Sequence, residues 1–139
     1  MISNLATAIW NKFNGDSGAG GLNASGGLSL FSFQQAPQVS TSPYGVFYLD
    51  GFDTDEQMGN ADNKIEMGEI RIQIFSSALD GGVIIADLMN RVMTLYDWST
   101  LTISSYTALK MSREAIAPLI YEDQIWQATL MYSAWFIKT

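Results

Sequence analysis

Apolar and polar positions recur with two different periods along this chain, and the sharpest change of period falls between residues 69 and 97. Ile70, Ile72 and Ile74 alternate with Glu69, Arg71 and Gln73, the period-2 pattern of a strand with one buried face. From Val83 to Asp97 the period becomes helical. At about 100° per residue, Ile84, Ile85, Leu88, Val92 and Leu95 fall in one stripe, while Asp87, Asn90, Arg91 and Thr94 face away. Asp80 followed by Gly81 and Gly82 supplies a turn and an N-cap, and Asp87 with Arg91 makes a favourable i,i+4 pair. The helix is therefore expected to lie on the sheet to which the preceding strand belongs.

The rest of the chain reads in the same way. Ile2, Leu5, Ala6, Ile9 and Phe13 recur at helical spacing, with Trp10 on the flank and Asn14-Gly15 ending the run. Residues 15–27 hold six of the twelve glycines and offer few side chains to pack, which predicts a mobile loop. Leu28, Leu30 and Phe33 suggest a short strand, broken across 35–43 by two prolines, and Tyr44 to Leu49 resumes as a strand. Asp50 to Asn63 is acidic and turn-rich, so 44–76 is expected to be a long hairpin with its acidic tip at 50–63. The apolar alternation changes phase across Gly68, which suggests a bulge there. Further on, Ala108 to Arg113 reads as a strand, and 115–123 as a segment containing Pro118 and an acidic turn. A long last strand from Gln124 to Ile137 carries Trp126, Ala128, Leu130, Tyr132, Ala134 and Phe136 on one face. Met131 and Trp135 join Gln127, Thr129 and Ser133 on the other, which suggests a partner surface. The order predicts a single α+β domain over 1–139: a largely antiparallel sheet, two helices packed on one face, and a long β-hairpin arm.

Composition narrows the chemistry. The chain has no cysteine and no histidine, so disulfides, zinc-thiolate sites, thiol nucleophiles and the commonest general base are all excluded. That composition suits a protein made in a reducing cytoplasm. A net charge of −7, with seven basic residues scattered from Lys12 to Lys138, argues against sequence-independent nucleic-acid binding. Neither a basic leader followed by an apolar core nor a run of about eighteen apolar residues occurs, so neither secretion nor membrane spanning is expected.

Candidate sites each meet a plainer reading. Asp50, Asp53, Asp55, Glu56 and Asp62 cluster oxygen ligands, but counting a calcium loop from Asp53 puts Met58 at its sixth position and Lys64 at its twelfth. A solvated hairpin tip fits better. The glycines at 18–27 match neither phosphate-loop nor dinucleotide-binding spacing. Glu114 with Glu122 or Asp123 could form an acid–base pair only if the fold brought them across one cleft, and Ser104, Ser105 and Ser112 have no histidine to activate them. No enzyme activity, cofactor or metal is predicted.

The stretches Leu28 to Tyr48 and Ile70 to Ile137 resemble the tail terminator, or tail completion, proteins of long-tailed bacteriophages. The resemblance rests on `GGLSLF`, `APQ` at Ala36 to Gln38, and `PYGVFY` at Pro43 to Tyr48. It continues through `IRIQIFS`, the helix `ADLMNRVMTLYD`, `KMSREA` at Lys110 to Ala115, the Glu122-Asp123 turn and the closing `WFIK`. The glycine-rich insertion at 15–27 and the few basic residues near the final turn depart from the family's pattern. The resemblance implies a structural protein of the virion, assembled in the host cytoplasm. Its copies would form a hexameric ring on the head-proximal end of the tail tube, ending tube polymerisation and joining the tail to a head completion or stopper protein. DNA would pass through the lumen without sequence-specific binding, and an acidic lining would keep it from sticking. A head-to-tail stopper or other neck protein is the nearest alternative, and a small ligand-binding or enzymatic α+β domain the more distant one. For subunit or partner contacts the sequence singles out Tyr44, Phe47, Phe52 and Met58 on the hairpin and Trp135 on the last strand, the apolar groups hardest to place in one small core. Ordinary core or hairpin packing is the competing reading for each.

Overall fold

The computed structural model describes residues 2–35, 42–56, 64–104, 106–108 and 110–138, and for Ile2, 52–56, Lys64, Ala108 and Lys138 the backbone alone. Within these residues the chain forms α1 (Ile2–Gly15), β1 (Leu30–Phe33), β2 (Tyr44–Glu56), β3 (Lys64–Ser76), α2 (Val83–Tyr96), β4 (Tyr106–Ala108), β5 (Ser112–Ile116), β6 (Ile120–Glu122) and β7 (Ile125–Lys138). The seven strands make one mixed, mostly antiparallel sheet in the order β1-β2-β3-β7, with β4, β5 and β6 pairing in turn along the far edge of β7. Only β1 and β2 run parallel. The architecture is the expected α+β one.

Both helices cover one face. Ile70, Ile72 and Ile74 of β3 stand opposite Tyr132, Leu130 and Ala128 of β7, and all six are buried. Leu5, Ile9 and Phe13 of α1 and Ile85, Leu88, Val92 and Tyr96 of α2 close over them in a single core. Ile84, placed in the buried stripe by periodicity, is 41% exposed, and Tyr96 takes the stripe's last position instead. Aromatic rings bridge the layers, with Phe31 4.8 Å from Phe47 and 5.0 Å from Phe13. The Tyr96 hydroxyl donates to the Ile9 carbonyl at 2.8 Å and ties the helices together. Burial, reinforced by the charge of Asp16, pushes the Tyr96 phenol far above its ordinary range. Asp80 accepts from the amides of Gly82 (3.1 Å) and Ile84 (2.8 Å), so it serves the start of α2 although Gly82 holds the cap position.

Four expectations are corrected. The segment 15–27 does have a side chain to pack, since Leu22 is fully buried. Its amide donates to Asp16 at 2.7 Å, and Arg91 of α2 donates to the carbonyls of Gly21 (2.8 Å) and Ser25 (3.2 Å). Glycine is required at position 27 by sterics: a Cβ there would lie 2.1 Å from the Leu22 carbonyl oxygen. Secondly, Asp50 to Glu56 is not a turn but the outer half of β2, because pairing with β3 continues to Glu56↔Lys64. The expected long hairpin over 44–76 is present, with β7 flanking its β3 strand from Ser76 to Ile65. Thirdly, the bulge lies on β2, where Asp50 is the extra residue between Leu49↔Ile70 and Gly51↔Glu69. The phase change at Gly68 has another cause: Ile65 and Met67 share the helix-free face with Ile137 and Trp135. Lastly, the strand expected over 108–113 is two short strands, between which Met111 is buried and exchanges backbone hydrogen bonds with Trp98 and Ser99.

Candidate interaction surfaces

On the helix-free face, the side chains of β2, β3 and β7 form a concave strip. Register places Tyr48, Arg71 and Met131 in one row, Gly51, Glu69 and Ser133 in the next, and Met67 beside Trp135 beyond them. The bulge puts Asp50 within 3.1 Å of the Arg71 guanidinium, which also lies 4.3 Å from the centroid of the Tyr48 ring. A second bulge, at Glu114 of β5, turns that carboxylate to accept from Ser133 Oγ at 2.5 Å. The result is an open cavity of about 360 Å³, floored by Met67, Met131 and Trp135 and rimmed by Asp50, Glu69 and Glu114. An apolar floor within a carboxylate rim suits contact with a protein surface. Among the described residues no group of three or more His, Cys, Asp or Glu is placed to hold a metal ion.

The sequence-selected residues separate in the structure. Trp135 is 40% exposed on this cavity. Tyr44 is half-buried and stacks on Phe75 at 5.0 Å. Phe47 is 1% exposed and packs against Phe31 and Phe33 beneath α1, as its competing reading of core packing expects. Phe52 lies on β2 opposite Gly68, and Met58 falls outside the described residues. Glu114 does not meet Glu122 or Asp123, because Glu114 sits beside Ser133 while Glu122 pairs with Ile125 at the start of β7.

Two further apolar surfaces escaped the sequence reading. One runs along the β6 edge, where Leu119, Ile120, Tyr121 and Ile125 are exposed, Ile120 and Ile125 on the same face as Glu122 and Tyr121 on the other. The Tyr121 ring lies 4.7 Å from that of Trp126, which is 3.5 Å from where a Cβ on Gly82 would lie. The uncharged run Ala115 to Tyr121 was the available signal. The other is an uncharged groove of about 360 Å³ between α1 and β1, where Trp10 and Phe33 are exposed.

This fold is similar to that of a virion chain. A chain in the virion of a native gene transfer agent particle superposes with a TM-score of 0.69 at 11% identity, over 99% of this chain and 97% of that one. A second solved chain gives a TM-score of 0.63 at 8% identity, over 96% and 95%. At these identities the likeness is one of fold. No family model matches the sequence, and no curated protein matches it.

Proposed function

We propose that this protein is a structural component of a phage-like virion, a tail terminator whose copies form a hexameric ring on the head-proximal end of the tail tube. The observation that carries the reading is correspondence over nearly the full length of both chains with a virion chain of a gene transfer agent. That fold-level likeness agrees with the motif order from `GGLSLF` to `WFIK`. The surfaces support it as well, since the groove between α1 and β1 is uncharged and the cavity on the helix-free face has an apolar floor suited to protein contact. The ring stops tube growth by covering the last tube subunits, presents its other side to a head completion or stopper protein, and leaves a lumen through which DNA passes without sequence-specific binding.

Light scattering after size exclusion, at several concentrations, tests the assembly. The expected result is a discrete hexamer, or a monomer that becomes a six-fold ring on the ends of tubes formed by its cognate tail-tube protein, seen in electron micrographs. A monomer that leaves tube ends bare would overturn the reading.

A further inference from the structure

Both helices pack on one face of the sheet, and the outer half of the other face is apolar. Every second residue of β3 and β7 points to that helix-free face, where register sets Ile65 beside Ile137 and Met67 beside Trp135. Trp135 and Met131 are 40% and 36% exposed there. Around the cavity that they floor, three carboxylates stand against one cation. Asp50 is matched by Arg71 at 3.1 Å. Glu69 and Glu114 are exposed and meet no basic side chain among the described residues, Glu114 accepting only from Ser133. The cavity therefore holds two uncompensated negative charges over an apolar, aromatic floor.

We propose that this cavity receives a basic side chain, with the apolar residues flanking it, from a protein other than this chain. A long basic side chain has both halves of the required chemistry: its methylenes lie on Met67 and Met131, and its charged head meets the rim. The Trp135 ring attracts the same cation through its π-face, and Glu69 and Glu114 accept charge-assisted hydrogen bonds from it. Arginine suits the site best, because its planar head stacks on an aromatic ring while bonding to carboxylates. A second copy is a poor donor. Its Arg71, Arg91 and Arg113 are already paired with Asp50, Asp87 and Asp97, its Lys12 donates to the Thr100 carbonyl, and it brings a further charge of −7. The inference does not rest on the ring reading, since binding of a basic partner is measured without assembly.

The test titrates an acetylated, amidated Leu-Arg-Leu-Arg-Leu peptide into the full chain, isotope-labelled at its four tryptophan indoles and followed by NMR. A control peptide carries citrulline for arginine, which keeps the shape and removes the charge. The arginine peptide should shift the Trp135 indole saturably, and the citrulline peptide should bind about five-fold or more weakly. Glu69→Gln and Trp135→Ala should each weaken the arginine peptide about three-fold or more; Glu69→Gln, at an exposed position, keeps the test if Trp135→Ala does not fold. Glu122→Gln removes the same charge near Ile125, about 27 Å along β7 from Ser133 and beyond two Debye lengths at 0.1 M salt, and should change nothing. Equal binding of the two peptides, or no saturable shift at Trp135, would overturn the proposal. So would a Glu122→Gln effect as large as that of Glu69→Gln, the mark of attraction to net charge alone. Loss of self-association in Glu69→Gln protein would make the occupant another copy and overturn it as well.

Discussion

Gly27 sits where the chain passes back over Leu22, and there the missing side chain matters more than backbone freedom. A Cβ would fall 2.1 Å from the Leu22 carbonyl oxygen and 2.9 Å from that of Gly21, both backbone atoms that cannot rotate away. Leu28, the next residue, donates its amide to that same Leu22 carbonyl at 2.8 Å and is itself buried. Gly27→Ala should therefore displace a core-bearing turn and lower stability by about 2–3 kcal/mol, read as a fall in the urea midpoint with unchanged slope. Gly15→Ala, with nothing within 4 Å, is the control and should be close to neutral. Tyr96 gives a pH-dependent counterpart. It is fully buried and its phenol pKa lies well above the ordinary 10.0, so the unfolded chain releases that proton near pH 10 while the folded chain keeps it. Above pH 10 the folded state binds more protons than the unfolded one, so stability falls as pH rises, by up to about 1.4 kcal/mol per pH unit from this group. Below pH 10 it contributes no slope. Tyr96→Phe should cost about 1 kcal/mol at neutral pH through the lost bond to Ile9 and make the alkaline fall shallower, measured by denaturation at pH 8 and pH 11.

At the scale of elements, Arg91 links the helix whose periodicity stands out most to the loop that periodicity cannot read. Its side chain pairs with Asp87 at 3.0 Å and reaches two carbonyls of the 15–27 segment, so it acts as a strut as well as one half of an i,i+4 pair. Arg91→Ala should leave α2 helical but speed amide hydrogen exchange at Leu22, Gly27 and Leu28 by about ten-fold or more; unchanged protection there would mean that the loop is held by Leu22 alone. The contrast shows what local pattern can carry. The strand β7 and the helix α2 were legible because every second or every third to fourth residue meets the same core. The loop was not, because its glycines are required by contacts between residues close together only after folding. The outer half of β2 was missed for a related reason: Asp50, Gly51, Asp53 and Asp55 have poor strand propensity, and the ladder to β3 overrides it. Trp135 could be found from alternation, since it breaks the polar face of β7. The apolar β6 edge could not, because its strand is three residues long and no period develops over it.

For the whole molecule, the proposed ring sets net charge against apolar surface. Each chain carries −7, so gathering six in a ring brings like charge together, and that repulsion acts within a Debye length of about 10 Å at 0.1 M salt. The segment from Ala115 to Tyr121 and the groove lining carry no charge, so apolar contacts made through them would lose nothing when salt screens the solution. Association should therefore strengthen on going from about 0.02 M to about 0.5 M salt, as repulsion is screened and apolar burial is left intact. An assembly held by ion pairs across the interface would do the reverse. Light scattering over that salt range decides between them: rising mass supports assembly through apolar surface, whereas falling mass would move the contact between copies to the carboxylate-rimmed cavity of Asp50, Glu69 and Glu114. That cavity would then take basic side chains from a neighbouring copy instead of a different protein, and reversing the charge of Glu69 should abolish the ring.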